Sequence, residues 1–183
     1  MGRRARGDKL DKPAMTRLNA TSWTSLAWKD GWLAHSARTA IGAAASLAVA
    51  RLFKMPEAYW SALTTIVVMQ STLGAAWTVS KQRFFGTAVG ALAGGLLASY
   101  FEVGIVLFGL AIFVLGLICA LVRLDKSAYR FAGMTLAIVA LVGRATPPWL
   151  IAVHRFVEVS LGIVVALILT GVWPAREPGA TRS

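Results

Sequence analysis

Arg155 and Glu158 stand three residues apart inside an otherwise apolar stretch from Trp149 to Trp173. A charge surrounded by hydrocarbon costs several kcal/mol unless it is paired or wetted, so ionisable residues in such a stretch point to function. Three residues apart, the two side chains share a helix face and can form an ion pair. Glu158 falls nine residues after Trp149. At 1.5 Å per residue that is ~14 Å, close to the midplane of a ~30 Å hydrocarbon layer. Two chemistries follow. The pair neutralises itself and locks its helix, or Arg155 attracts an anion while Glu158 changes protonation as a solute passes. Arg83, at the start of another apolar stretch, offers a second cation. It either lines a path for a carboxylate or extends to the interface in an ordinary structural role.

The elements that must hold these residues are six apolar stretches, approximately Ser36–Phe53, Ala58–Trp77, Gln82–Phe101, Val103–Val122, Tyr129–Arg144 and Trp149–Trp173. Each approaches the ~20 residues that cross a bilayer as a helix. The expected breaks lie at Lys54 and Pro56, at Ser80 and Lys81, at Glu102, at Asp125 and Lys126, and at Pro147-Pro148. The fold class is therefore all-α, a polytopic membrane protein with six transmembrane helices. Residues 1–33 form a basic tail and an amphipathic segment carrying Trp23, Trp28 and Trp32, which suits the headgroup level. Residues 34–174 form the transmembrane domain, and 175–183 a short tail. No compact apolar core with a small-residue cleavage site opens the chain, so the first helix is expected to stay as an anchor.

With 57% hydrophobic and 15% charged residues among 183, little chain remains for a soluble domain. The net charge of +11 would suit nucleic acid in a soluble protein. Here its placement suits an anionic leaflet instead. With the N-terminus inside, fourteen Lys and Arg fall on inner segments and three on outer loops, so the positive-inside rule puts both termini in the cytoplasm. Cys119 stands alone in the fourth stretch, which excludes an intrachain disulfide and a cysteine metal site. His35 with Arg38 in the first span, and His154 beside Pro147-Pro148, read as interfacial residues. No nucleophile–base pair, metal constellation, phosphate loop or dinucleotide fingerprint occurs, so neither enzymatic chemistry nor a cofactor is expected.

Gly86, Gly90 and Gly94 fall four apart on one helix stripe, and Gly162, Ala166 and Thr170 form another. Helices in lipid associate through close backbone approach, so both stripes read as packing surfaces. A shift of 72 residues superimposes Arg83-Phe84 on Arg155-Phe156 and Gly90 on Gly162, and a shift of 70 places Tyr59 on Tyr129. Three helices per half would give halves of opposite topology, a 3+3 inverted repeat.

Tyr59-Trp60-Ser61-Ala62-Leu63-Thr64, continued by Ile66-Val67-Val68-Met69-Gln70, is followed by Leu73-Gly74, by Arg83-x-x-Gly86-Thr87-x-x-Gly90, and by Arg155, Glu158 and Gly162 before Trp173-Pro174. In this order, over about residues 32–176, the chain resembles the fusaric acid resistance-type membrane family, which includes bacterial aromatic acid exporters. Thr72 departs from the family's pattern, where a proline is common. The resemblance implies efflux of small organic anions, aromatic carboxylates among them, across a bacterial inner membrane. The alternatives are a passive anion channel, which shares the cation-lined path without proton coupling, and a non-transporting scaffold or accessory subunit in which the charges are only structural. Arg83 and Arg155 would attract the anion, Glu158 would relay protons or fix Arg155, and Tyr59 and Trp60 would line the outer end, with Thr64 and Gln70 in the same signature. The long exporters carry two six-helix units and a large cytoplasmic domain, whereas one unit is recognisable here. A homodimer or higher homo-oligomer is therefore expected, with membrane lipid, a small organic anion and a periplasmic adaptor as partners.

Overall fold

The computed structural model describes residues 32–70, 72–142 and 146–173. Six helices follow in order: α1 Trp32–Leu52, α2 Tyr59–Val68, α3 Leu73–Tyr100, α4 Ile105–Leu121, α5 Lys126–Leu141 and α6 Pro148–Val172. No strand occurs among the described residues. The basic tail with Trp23 and Trp28, Arg144 and the tail after Trp173 lie outside them.

Four of the expected breaks coincide with turns between helices, at Lys54 and Pro56, at Glu102, at Asp125 and at Pro147. The break expected at Ser80 and Lys81 does not exist: α3 runs through both residues without interruption. Residues 78–83 contain neither Gly nor Pro, and Lys81, Gln82 and Arg83 are good helix formers. The chain breaks earlier, at Met69–Thr72. Met69 turns extended (φ −64°, ψ 104°), and Thr72, also extended, caps α3 by accepting a hydrogen bond from the Ala75 N–H at 3.3 Å. As a result α2 has only ten residues, about 15 Å at 1.5 Å per residue, while the 28 residues of α3 run about 42 Å.

Contacts fix the direction of every helix. Ser61 bonds to Ser46, and Gly42 lies against Thr65 and Met69, so α2 runs back along α1. Gly162 lies against Ser61 and Thr64, and Thr170 donates to Met69 Sδ at 3.4 Å, so α6 runs parallel to α2. Gly86 meets Ala128, Gly90 meets Ala132 and Gly94 meets Leu136, so α5 runs parallel to α3. Gly116 lies beside Tyr129 and Gly133 beside Ile112, so α5 runs back along α4. Phe84 lies against Phe156 while Gly95 meets Ala152 and Trp149, so α6 runs antiparallel to α3. The helices thus alternate up and down, with α3 and α6 as the long central pair, α1 and α2 on one side, and α4 and α5 on the other.

The glycines set the helix spacing. A Cβ on Gly86 or Gly90 would collide with the carbonyl oxygen of Ala128 or Ala132, and one on Gly162 with that of Ser61. Such close approach is the means by which helices gain van der Waals contact where no hydrophobic force drives them together. Leu115, Cys119, Ala132 and Leu136 form the apolar seam between α4 and α5. Among the described helices, α6 alone combines membrane-crossing length with continuous apolarity. Buried polar groups occur in α6 as well as in α1 and α3, among them Arg155 and Glu158 beside Arg38, Ser46, Arg83 and Thr87.

Candidate functional site

The turn between α1 and α2 delivers Glu57 to the side of α6. Lys54 enters the left-handed region (φ 52°), and the Met55 N–H reaches back to the Ala50 carbonyl, which closes the end of α1. The turn then lands Glu57 against Arg155, and the two side chains form an ion pair. Further along both helices, Thr65 donates to the Gly162 carbonyl at 3.1 Å, so the turn and α2 track the same face of α6. Glu158, one turn beyond Arg155, accepts a hydrogen bond from the Glu57 N–H at 3.0 Å and lies 3.5 Å from Arg155 Nη1. Trp60 Nε1 and the Tyr59 hydroxyl both donate to Glu57 Oε2, at 3.1 and 3.2 Å. The Arg155 guanidinium sits over the Trp60 ring at 4.2 Å. Arg155 and Glu158 are 3% and 1% exposed, whereas the Glu57 side chain is 33% exposed. The cluster therefore holds one cation and two carboxylates, and its entrance is through Glu57.

Arg83 occupies a different environment. It lies well inside α3, because α3 starts at Leu73, and it is level with the α4–α5 turn, where Gln82 donates to Asp125 at 2.9 Å. At 6% exposure it is turned inward, not extended to an interface. Its Nε donates to the Thr64 hydroxyl at 3.1 Å, and its guanidinium lies 4.8 Å from the Phe131 ring centroid. No carboxylate pairs with it among the described residues.

The two arginines are linked through one contact. Thr64, which holds Arg83, packs on Gly162, one turn beyond Glu158 on α6. Tyr59, Trp60, Arg155 and Glu158 thus lie in one cluster, and Thr64 and Arg83 adjoin it along the α2–α6 seam. Gln70 lies apart, at the foot of α2. Its backbone carbonyl accepts from Arg38 Nη2, while Arg38 Nη1 donates to the Trp173 carbonyl at 2.7 Å. Arg38 is 1% exposed and joins the C-terminal ends of α2 and α6, so the expectation of an interfacial role for it is corrected. An arginine at two helix C-termini satisfies carbonyls that have no partner within their own helices.

Glu57 is the residue that sequence reasoning missed. It stands between Pro56 and Tyr59-Trp60, in a segment read only as turn punctuation, and its partner is 98 residues away. The available signal was a carboxylate next to the aromatic pair at the same end of the bundle as Arg155. An apolar groove of about 460 Å³ between α3 and α6 is lined by residues such as Leu92, Gly95, Trp149 and Phe156 and touches none of these charges. No cluster of metal-ligating side chains occurs among the described residues.

An all-helical bundle whose buried polar residues are confined to helix contacts, with an apolar exterior, is the form of a membrane protein. The chain belongs to the fusaric acid resistance protein-like family, whose signature matches residues 40–169. It is 32% identical over 149 residues to the inner membrane protein YeeA of Escherichia coli K12, covering 79% of this chain and 42% of that one. It is 28% identical over 174 residues to the uncharacterized transporter YdhK of the same organism, covering 87% of this chain and 26% of that one. The uncharacterized transporter GOX0755 of Gluconobacter oxydans is 28% identical over 161 residues, 81% of this chain and 22% of that one. The chain spans less than half the length of these relatives. No solved structure gives a significant match.

Proposed function

We propose that this chain exports small organic anions, aromatic carboxylates among them, along the side of the α2–α6 pair that faces Arg83 on α3, working in a homo-oligomer in the bacterial inner membrane. The observation that carries the reading is Arg83: a buried cation held by a hydroxyl and a ring, with no carboxylate paired to it among the described residues. A cation in that position attracts a solute's negative charge and costs several kcal/mol if left without one. The interior balance agrees. Both nearby carboxylates, Glu57 and Glu158, belong to Arg155, and Arg38 meets only helix-end carbonyls, so no counter-charge is left for Arg83 among the described residues. The relatives named as transporters support the class of activity.

The reading includes six crossings with both termini cytoplasmic, residues 34–174 as the transmembrane unit, and an inverted 3+3 repeat. The support for the repeat is geometric. Arg83 over Phe131 and Arg155 over Trp60 are related by shifts of 72 and 71 residues, as are Gly90 on Ala132 and Gly162 on Ser61. The α1 and α4 ends carry the same cap, with Lys54 and Arg123 both left-handed.

Everted vesicles test the reading directly. Vesicles carrying the wild-type chain are expected to accumulate radiolabelled benzoate under a proton gradient, Arg83→Ala to lose most of that rate, and Arg83→Lys to keep part of it. Absence of benzoate or dicarboxylate flux at any gradient would sink the proposal and leave a non-transporting accessory role. A passive channel is the second reading. It is favoured by Glu158, whose Oε1 accepts from the Glu57 N–H while Oε2 lies 3.5 Å from Arg155 Nη1, a placement that suits a fixed strut. Flux through Glu158→Gln that no longer responds to the proton gradient supports coupling through Glu158, whereas unchanged, gradient-independent flux in both proteins supports the channel.

A further inference from the structure

We infer that Arg155, Trp60 and Tyr59 form a receptor for a solute carboxylate, and that Glu57 is the protein's own carboxylate occupying it. Three donors from two helices converge on one oxygen, Glu57 Oε2: Arg155 Nη2, Trp60 Nε1 at 3.1 Å and the Tyr59 hydroxyl at 3.2 Å. A cation, an indole N–H and a phenol O–H aimed at a single point are what recognition of a carboxylate requires. The occupant is a side chain on a turn, one-third exposed, while the cation beneath it is almost fully buried. The receptor therefore opens to the side from which Glu57 enters.

Arg155 also has donors to spare. Its Nε and Nη1 are buried and make no hydrogen bond among the described residues, although Nη1 lies 3.5 Å from Glu158. A guanidinium offers five N–H donors in a planar fork that matches a carboxylate with two parallel bonds. Glu57 engages the fork through one oxygen only, so a free carboxylate able to rotate can satisfy more of it.

The backbone permits the exchange. The Glu57 N–H is held by Glu158 Oε1 at 3.0 Å, independently of where the Glu57 side chain points. The side chain can leave for water while the turn stays docked on α6. Charge is conserved, because one carboxylate replaces another over Arg155 and Glu158 keeps its own place. In the other half of the bundle, Arg83 over Phe131 has no such occupant among the described residues. The residue facing that position on α5 is Ala128, packed on Gly86, where the first half has Glu57 bonded to Glu158. One cation thus has no carboxylate partner among the described residues, and the other is guarded by a competing group.

This inference rests on the organic-anion reading, but its test does not depend on transport. Benzoate binding to the purified full-length chain in detergent is measured by calorimetry for wild type, Glu57→Gln, Glu57→Asp, and Glu57→Gln combined with Arg155→Gln. Glu57→Gln keeps an acceptor for Trp60 and Tyr59 but removes the competing charge, so it is expected to bind benzoate about tenfold more tightly, about a 1.4 kcal/mol change. Glu57→Asp, one methylene too short to hold all three donors, is expected to bind more tightly than wild type by a smaller factor. The double variant is expected to lose the gain. Equal or weaker binding by a folded Glu57→Gln or Glu57→Asp protein shows that Glu57 only anchors its turn and overturns the inference. If no protein in the series moves benzoate yet the affinity order holds, the transport reading fails and the receptor stands. If wild type moves benzoate while all four proteins bind it equally, the receptor fails and the transport reading stands.

Discussion

At Arg38 the guanidinium fork spans two helix ends, donating to the Gln70 carbonyl and to the Trp173 carbonyl. A hydrogen bond to a charged group contributes about 1.5–3 kcal/mol. Arg38→Ala is therefore expected to lower the melting temperature in detergent markedly, through the loss of both bonds. Arg38→Lys recovers only part of this, since one ammonium cannot reproduce the planar fork. Arg83 makes a useful contrast. It has one hydroxyl partner and no backbone carbonyl, so its replacement is expected to affect flux far more than melting. The sequence presents Arg38 and Arg83 alike, as cations near the starts of apolar stretches with no carboxylate one turn away, and only Arg155 shows a local partner. What separates Arg38 from Arg83 is the group each meets, a pair of carbonyls or a hydroxyl, and each of those comes from a distant element.

Among the elements, α3 shows where sequence periodicity was readable and where it was not. Its glycines at 86, 90 and 94 repeat every four residues, and they lie against the α5 backbone. Gly90→Ala places a methyl group on the Ala132 carbonyl and is expected to cost about 1–3 kcal/mol, read as a lowered melting temperature. Gly74→Ala is the matched control. Nothing lies within 4 Å of that position, and removing backbone freedom in a helix contributes about 0.5–1 kcal/mol of stability. The start of α3 was not legible, because its signal is a single threonine cap at Thr72 with no proline beside it. The breaks marked by Pro56, Glu102, Asp125 and Pro147 were, since each carries a residue that a helix in lipid excludes or a ring that cannot continue one. Of the site, Arg155 with Glu158 and the aromatic pair were visible as local patterns. Glu57 was not, because a turn carboxylate gains meaning only from what the fold sets opposite it.

For the whole molecule, alternation of the six helices places Trp32 and Trp173 at one end of the bundle and the α1–α2 turn at the other. Reporter fusions check this reading of the topology. Alkaline phosphatase joined after Glu57 or Glu102 marks which turns face the periplasm. Activity at Glu57 combined with none after Asp125 is the expected pattern, and the reverse would overturn the orientation. The oligomeric state follows separately from the mass of the detergent-solubilised particle. A monomer that still supports benzoate flux would remove the need for a second copy.

The shortness of α2 bears on how the bundle can move. Its head is bonded to α6 through Glu57 and Glu158, its middle touches Gly162 through Ser61 and Thr64, and its foot shares Arg38 with the residue that ends α6. Clasped at three heights, the ten-residue rod has no independent stroke, and any alternation between inward- and outward-open shapes must carry α2 and α6 as a single piston against α3 and α5. A covalent staple joining those two rods should accordingly leave flux intact, while one joining α6 to α3 at Gly95 and Ala152 should arrest it.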